Sequence, residues 1–285
     1  MNYVDLHVHS NASDGTLSPS GVVALAAEKG LKSIALTDHD TIDGIEEALS
    51  ASSSHHIEVI PGVELSALYH EKEIHILGLF VDIHHPVIEK ALGHMREIRH
   101  RRNEEILRRF SEAGMEITMA ELQNGNPGTV ITRAHFARVL FQKGYVSSMN
   151  QAFKKYLKPG SKYCPVKERI APELAMELLT ACHAVPALAH PLQYKFGNDE
   201  LDGLIAYLTG LGMQALEVYH SSNSAYESMR LKELAVKYGL LPTGGSDFHG
   251  ANKPDIDIGF GRGGLRISSL LLEDIRQLYQ SNSGR

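Results

Sequence analysis

Residues 3–9, Tyr-Val-Asp-Leu-His-Val-His, decide how the rest of the chain is interpreted. Apolar and polar side chains alternate along this segment, and a period of two is typical of a β-strand with one face on the core. The same alternation places His7 and His9 on one face, so both imidazoles can reach one metal ion. The segment is therefore predicted to be a strand that ends in two candidate metal ligands.

Strands and helices alternate after this first strand. Ser18-Pro19 offers a helix N-cap followed by proline in the first helical turn. A strand at Ser33–Thr37, a helix at Ile42–Ser50 and a strand at Ile57–Ile60 are predicted next. Alternation of this kind indicates an α/β fold with a parallel sheet and helical crossovers, either a barrel or a doubly wound sheet.

The pattern continues along the remainder of the chain. Glu64–Tyr69 and Glu73–Phe80 are predicted to be two strands joined by a polar turn. Later strands are predicted at Val185–Ala189, Ala215–Val218 and Leu241–Gly244, and later helices at Ala171–Cys182, Leu201–Leu211 and Ala225–Tyr238.

Residues 86–162 contain almost no strand pattern. A long basic helix at Val87–Ala113 and shorter helices at 132–142 and 147–156 are predicted there. We interpret residues 86–162 as a helical insertion that caps the active site, and residues 1–85 plus 163–285 as the barrel. The arginine-rich face of the long helix, Arg96–Arg109, is predicted to be solvated.

Composition limits the possible functions. The formal net charge of −6 argues against a broad basic face for nucleic acid. Two cysteines, Cys164 and Cys182, make no disulfide framework. We expect no membrane span, because no apolar run approaches about 20 residues. The first residues enter a strand without a leader-like segment, so the expected location is cytoplasmic.

The sixteen histidines are not scattered at random. Imidazole or carboxylate side chains stand just where predicted strands end, which in parallel α/β folds is where active sites form. The candidate metal ligands are His7, His9, Asp14, His39, Glu64, His75, His190, Asp247 and His249.

Nine ligands are too many for one or two four-coordinate ions, and they fit three metals with a bridging carboxylate. Histidine and carboxylate without cysteine suit manganese, iron or zinc. Asp14, Glu64 and Asp247 contribute three negative charges, so three divalent ions would leave about three positive charges for a hydroxide and a phosphate dianion. The expected reaction is phosphoester hydrolysis by a metal-bridging hydroxide, since metals lower the pKa of bound water to about 7.

These motifs resemble those of the PHP superfamily, named for its polymerase and histidinol phosphatase members. The resemblance runs from the first strand to about Gly261 and includes His7-x-His9, Thr-Asp-His39-Asp, Ala-His190-Pro and Asp247-x-His249. It implies a distorted (β/α)7 barrel and a trinuclear centre, with manganese preferred and iron or zinc as alternatives. The implied sites are His7, His9, Glu64 and Asp247; Asp14, His39 and His249; and Glu64, His75 and His190.

The helical insertion is similar to that of stand-alone PHP phosphoesterases. This subgroup includes 3′,5′-nucleotide bisphosphate phosphatases and the 5′-to-3′ exoribonuclease called RNase AM. The resemblance implies removal of the 3′-phosphate from a nucleotide bisphosphate, with exonucleolysis of short 5′-phosphorylated RNA as an alternative. Two further alternatives stay open: a histidinol-phosphate-type phosphatase, which generally lacks the insertion, and a structural metal-binding domain without activity.

Two residues beyond the metal ligands are candidates for substrate contact. Arg133 and His135 follow Thr132 at the predicted start of a helix, where the helix dipole favours anions. Arg133 is predicted to clamp a non-reacting phosphate, and His135 to bind phosphate or protonate the leaving oxygen. His220 is predicted either to support the site or to lie in a solvated loop. The sequence leaves the oligomeric state open and is compatible with a monomer.

Overall fold

The computed structural model describes residues 2–165 and 169–282. Seven strands of this part form one sheet, and their spatial order is the order of the chain. The strands are β1 (Val4–Val8), β2 (Ser33–Leu36), β3 (Glu58–Tyr69), β4 (Lys72–Leu79), β5 (Val185–Leu188), β6 (Ala215–His220) and β7 (Leu241–Gly245).

Ten α-helices of the described residues surround or extend the sheet. Five of them, α3 to α7, lie between β4 and β5 in the chain. The helices are α1 (Pro19–Glu28), α2 (Ile45–His55), α3 (Pro86–Glu112), α4 (Met119–Gln123), α5 (Arg133–Gln142), α6 (Met149–Lys155), α7 (Pro172–Ala181), α8 (Asn198–Gly210), α9 (Ala225–Tyr238) and α10 (Ser269–Asn282).

The sheet curls into a nearly closed barrel because its first and last strands meet. The His9 amide donates to the Phe248 carbonyl at 3.0 Å, and the Asp247 amide donates to the His7 carbonyl at 2.9 Å. Gly245 allows this approach, since a Cβ at that position would overlap the Cβ of His7. The predicted α/β barrel is confirmed, and its closure brings the two ends of the chain's ligand set together.

One strand runs against the others. β4 is antiparallel to both β3 and β5, whereas the remaining neighbours are parallel. The expectation of a parallel sheet is therefore wrong at β4, because the hairpin from Tyr69 to Lys72 is too short for a crossover. Reversal of β4 places its first half, which contains His75, at the barrel end where the parallel strands finish.

Several elements also differ from the predictions. Ile57–Ile60 and Glu64–Tyr69 belong to one strand, β3, because its first half pairs with β2 and its second half with β4. Helix α2 begins at Ile45 rather than Ile42 and extends to His55. Helix α10 had no counterpart among the predicted elements.

The segment between β4 and β5 has a hydrophobic core of its own. Ile106 and Phe110 of α3 pack with Phe136 of α5 and with Tyr156 and Leu157. The predicted helices at 87–113, 132–142 and 147–156 correspond to α3, α5 and α6. Within the described residues, no helix combines the length and the apolar character that a bilayer crossing requires.

Candidate metal centre and active site

All nine predicted ligands lie at one end of the barrel. His7 and His9 stand at the end of β1, and Asp14 lies on the loop that follows. Glu64 lies within β3, beyond the end of β2, and a bridge between His39 and Glu64 prolongs that pairing. The remaining four side chains come from β4, from the turn after β5 and from the loop after β7: His75, His190, Asp247 and His249.

Glu64 stands at the centre of the cluster. One carboxylate oxygen, Oε1, lies 3.0 Å from His75 Nδ1 and 2.9 Å from His190 Nε2. The other, Oε2, lies 2.8 Å from His39 Nδ1 and 3.4 Å from His9 Nε2. His7 Nε2 also lies 3.4 Å from Oε1. A single buried carboxylate that faces five imidazoles has the arrangement expected of a bridging ligand.

The ligand atoms form four groups, in each of which every atom lies within 4.8 Å of the others. Each of the nine predicted ligands belongs to at least one group. The groups are His9, Asp14, His39 and His249; His7, Glu64 and His190; His7, His9 and Asp247; and His39, Glu64 and His75. The grouping differs from the three sites implied by resemblance. There are four groups, His9 also joins the Asp14 group, Glu64 is absent from the group of His7, His9 and Asp247, and His75 and His190 fall in separate groups.

The chemistry of these atoms fits divalent metal ions. They are imidazole nitrogens and carboxylate oxygens, which suit manganese, iron and zinc. Buried atoms of His9, Asp14, Glu64 and His190 have no well-aligned hydrogen-bond partner in the described structure. A buried polar atom left unpaired costs about 1–3 kcal/mol, so bound cations would satisfy several otherwise unfavourable groups.

The cluster carries anionic carboxylates and at least one neutral imidazole. Burial opposes ionisation of Asp14 and Glu64, but surrounding histidines hold the pKa of both carboxyls well below the usual range. Lys253 and His249 similarly outweigh burial and keep the pKa of Asp247 low. Burial and the neighbouring His249 hold the pKa of His9 well below its usual value. Carboxylate and neutral imidazole are the forms that ligate metals.

Glu217 is a functional side chain that the sequence analysis missed. Its Oε1 accepts from His7 Nδ1 at 2.9 Å, and its Oε2 accepts from the His190 amide at 2.5 Å. Glu217 is fully buried in β6. A carboxylate on one ring nitrogen of a ligating histidine orients the other nitrogen toward the metal, so Glu217 positions His7. The available signal was a lone glutamate within the apolar run Ala215–Val218.

Two further buried aspartates fix the loops that carry ligands. The Asp5 carboxylate accepts from the amides of Ser246 and Gly259 at 2.8 and 2.7 Å, which anchors the loop of Asp247. Asp38 accepts from the Ser10 amide and hydroxyl at 2.9 and 2.6 Å. Burial raises the pKa of each carboxyl to about 6, against these hydrogen bonds. Asp5 and Asp38 therefore stabilise the backbone of the ligand-bearing loops and are not among the grouped ligand atoms.

A cavity of about 330 Å³ opens over the cluster, and two groups of its lining residues carry charge. Predicted metal ligands form the first group, which we call the metal side: Asp14, His39, His75 and His249. Lys253 also lines the cavity, and its Nζ lies 2.5 Å from Asp247 Oδ2. The second group, which we call the basic side, consists of Arg99, Arg133 and Arg169, and Thr132, Met149 and Phe153 complete this part of the lining.

The prediction of a solvated basic helix is wrong for two of its arginines. Arg99 and Arg102 of α3 are buried, at 5% and 8% exposure. Arg99 Nε donates to Asp40 Oδ2 at 2.8 Å, and Arg102 donates to the Asn103 side chain at 2.8 Å. The partner Asp40 lies 59 residues away in sequence, so helical periodicity alone did not show that this face is covered.

Arg133 and His135 have different surroundings. The Arg133 side chain is 28% exposed, lines the cavity, and has Nη2 3.4 Å from Glu73 Oε2. His135 is buried, and its Nδ1 accepts from the Thr132 amide at 3.0 Å in a capping box. Burial lowers the pKa of His135 to about 4, so the imidazole is neutral. His135 is not among the residues that line the described cavity, which weighs against its predicted contact with phosphate.

Comparison with known proteins identifies the family. Residues 5–164, more than half of the chain, match the PHP domain. The chain belongs to the PHP domain family. Across 247 residues this PHP protein is 36% identical to the 5′-3′ exoribonuclease Rnm of Escherichia coli, covering 86% of the chain and 84% of that relative.

A second relative and a solved structure support the same assignment. The 3′,5′-nucleoside bisphosphate phosphatase of Chromobacterium violaceum is 33% identical over 261 residues, 91% of each protein. A crystal structure from Bifidobacterium adolescentis, described as a candidate metal-dependent phosphoesterase, is 28% identical with a TM-score of 0.82, covering 100% of this chain and 99% of that one.

This PHP protein is a metal-dependent phosphoesterase, and the predicted hydrolase activity is confirmed. The non-enzymatic alternative of a structural metal-binding domain is thereby set aside. The buried histidine and carboxylate clusters supply the divalent metal site that the activity requires. The roles of the individual side chains stay predictions.

Proposed function

We propose that this phosphoesterase removes the 3′-phosphate from nucleoside 3′,5′-bisphosphates, with three divalent metal ions, manganese foremost, in the nine-residue cluster. The observation that carries this proposal is the two-sided cavity. One side offers metal ligands, and the other offers guanidinium groups that suit a second phosphate of the substrate. A substrate with two phosphates matches both sides, whereas a simple monoester leaves the basic side unused.

The basic side carries more positive than negative charge. Arg99, Arg133 and Arg169 line it, and within residues 2–165 and 169–282 the carboxylates that contact them are those of Asp40 and Glu73. Arg169 is well paired, with its guanidinium 2.6 Å from Glu73 and 3.4 Å from Asp40.

Arg102 adds a fourth guanidinium to this cluster. Burial and the neighbouring Arg99 and Arg169 lower its pKa to about 9. Among the residues that the structure describes, four arginines against two carboxylates leave two positive charges. A phosphate dianion would neutralise this excess.

The side chains divide the work between binding and orientation. When bound, divalent metals polarise the phosphoryl group and activate water for attack. Arg133 and Arg169 hold the non-reacting phosphate and thereby fix the distance between the two ends of the substrate. Glu217 keeps the His7 ring in its orientation. Lys253, beside Asp247, presents an ammonium at the reacting end of the cavity.

The domain division forms part of the proposal. Residues 86–162 would cap the active site, and residues 1–85 plus 163–285 would form the catalytic barrel. Thr132, Arg133, Met149 and Phe153 of the capping segment line the cavity, which supports this role. Its separate hydrophobic core supports the division.

Exonucleolytic removal of nucleotides from 5′-phosphorylated RNA is the second candidate. It is favoured by the 36% identity to the Escherichia coli exoribonuclease. The geometry is compatible with both reactions, because each needs one phosphate anchored on arginine and another at the metals. The RNA reaction differs because the nucleotides beyond the reacting phosphate must extend out of the cavity.

A substrate screen with manganese-loaded enzyme tests the proposal. We expect kcat/KM for adenosine 3′,5′-bisphosphate to exceed that for histidinol phosphate by at least about 100-fold, or about 2.7 kcal/mol of transition-state free energy. Elemental analysis of the same preparation should find close to three metal ions for each chain. A preference for histidinol phosphate would contradict the substrate assignment, and a single tightly bound ion would contradict the trinuclear centre.

A further inference from the structure

A second and larger cavity opens beside the metal centre. Its volume is about 660 Å³, twice that of the active-site cavity, and it lies between α9 and the segment around residues 262–266. We call it the α9 groove, defined by Tyr219, His220, Met229, Lys232, Arg262 and Arg266. The two cavities share no lining residue, so a nucleoside bisphosphate held by the metals and by Arg133 would not require the α9 groove.

The α9 groove adjoins the metal centre through His220. The His220 imidazole forms part of the groove, and its Nε2 lies 3.5 Å from Asp247 Oδ2. The same nitrogen lies 3.3 Å from the amide nitrogen of Gln193, which lines the active-site cavity. One side chain therefore separates the predicted ligand Asp247 from the groove. A substrate chain that continues past His220 from the reacting phosphate would reach the α9 groove.

The groove is basic, although the chain as a whole is acidic. Lys232, Arg262 and Arg266 border it, whereas the formal net charge of the protein is −6. Arg262 is partly neutralised by Asp255 at 2.8 Å. Arg266 is held by the Leu265 carbonyl at 2.6 Å, and its guanidinium stacks on Phe260 at 4.5 Å. Lys232 is exposed on α9. Charge of this kind recognises phosphodiester groups.

Apolar surface accompanies the charge. Met229, on the turn of α9 before Lys232, is 54% exposed and lines the groove. Tyr219, near the end of β6, also lines the groove. Unpaired bases are bound by aromatic and apolar side chains beside a positively charged path for the backbone. The combination favours a single-stranded polynucleotide over a small inorganic anion.

We propose that the α9 groove binds the nucleotides of a 5′-phosphorylated RNA that continue beyond the reacting phosphate. The proposal rests on the proposed nucleotide chemistry and selects its exonuclease form. Lys232 contacts a backbone phosphate, and Met229 and Tyr219 contact bases. If the groove binds these nucleotides, the affinity for RNA depends on the length of the RNA. The reaction of a bisphosphate does not depend on the groove.

Charge reversal at Lys232 tests this assignment. Manganese-loaded wild type, Lys232→Glu, Lys232→Arg and the control Lys90→Glu are compared on adenosine 3′,5′-bisphosphate and on 5′-phosphorylated RNAs of two to eight nucleotides. Lys90 is an exposed lysine of α3 that lines neither cavity, so its reversal changes net charge equally. Binding of a fluorescent phosphorothioate RNA, whose linkages resist hydrolysis, is measured in parallel by anisotropy.

We expect Lys232→Glu to raise KM for the longer RNAs and their Kd by about five- to tenfold, with bisphosphate kinetics unchanged. The slope of log Kd against log salt should fall by about 0.7, the value for one contact to a single-stranded phosphate. Lys232→Arg should behave as wild type. If Lys232→Glu matches Lys90→Glu on every RNA, the groove does not bind RNA. Failure of the nucleotide chemistry itself would be distinct, because wild type would then hydrolyse neither substrate.

Discussion

Removal of the Arg133 side chain should separate the binding of a second phosphate from the chemistry at the metals. The guanidinium is 28% exposed and lies 3.4 Å from Glu73, so its protein contact is weak. A hydrogen bond to a charged group contributes about 1.5–3 kcal/mol. Water competes at this exposure, which favours the lower half of that range. We therefore expect Arg133→Ala to lower kcat/KM for adenosine 3′,5′-bisphosphate by about 10- to 30-fold.

The assay compares this substrate with p-nitrophenyl phosphate, which has a single phosphate. The loss should be confined to the bisphosphate, because the smaller substrate has no group for Arg133 to hold. Metal content should stay constant, and Arg101→Ala, at an exposed arginine of α3, serves as the matched control. Equal losses on both substrates would show that Arg133 serves the reacting phosphate or the fold. No loss on either would refute the two-sided cavity as the basis of specificity.

Three further predictions concern the metal centre and the capping helix. Exhaustive chelation should abolish turnover and manganese should restore it, and His39→Ala or Asp247→Ala should lower turnover by several orders of magnitude; full activity of metal-free enzyme would contradict the mechanism. Glu217→Gln should weaken metal affinity by about 10- to 100-fold in a chelator competition, because His7 loses its orienting carboxylate. The pKa of His135 is about 4 in the folded protein and 6.5 in the free side chain. Between these pH values the unfolded state binds more protons than the folded state. The wild-type protein should therefore lose up to about 3 kcal/mol of folding free energy as pH falls from 6.5 to 4. His135→Gln, which keeps the capping geometry, should reduce that loss in urea unfolding at pH 7 and 4.5 while retaining activity.

The barrel and its ligand cluster were predictable because both follow from local patterns. Alternation in residues 3–9 places His7 and His9 on one face, and the rule that parallel strands finish at one edge gathers the other ligands. Helix caps at Ser18 and Thr132 are equally local, and both form as the sequence indicates.

What the sequence did not reveal depends on contacts between distant segments. Glu217 was interpreted as part of an ordinary strand. Its burial is explained by its hydrogen bond to His7, which lies 210 residues away in sequence. Arg99 was predicted to be solvated, but in the fold its guanidinium is paired with the buried Asp40 carboxylate. The position of His135 at a helix start suggested contact with phosphate, but its imidazole instead accepts a capping hydrogen bond from the Thr132 amide. In each case periodicity reports a face of an element and not the partner of that face.

The ion pair between Arg99 and Asp40 has a consequence for protein engineering. Asp40 follows His39 directly, and Arg99 belongs to the segment that lies between β4 and β5. A chimera that exchanges residues 86–162 for a segment without this arginine would leave the buried Asp40 carboxylate with only the longer contact to Arg169, 3.4 Å away, and the Ser66 amide. Loss of one partner of a buried ion pair costs up to about 3–5 kcal/mol. The transplant must therefore bring a matching arginine. Exchange of the predicted capping segment would thus also disturb Asp40, the neighbour of the predicted metal ligand His39.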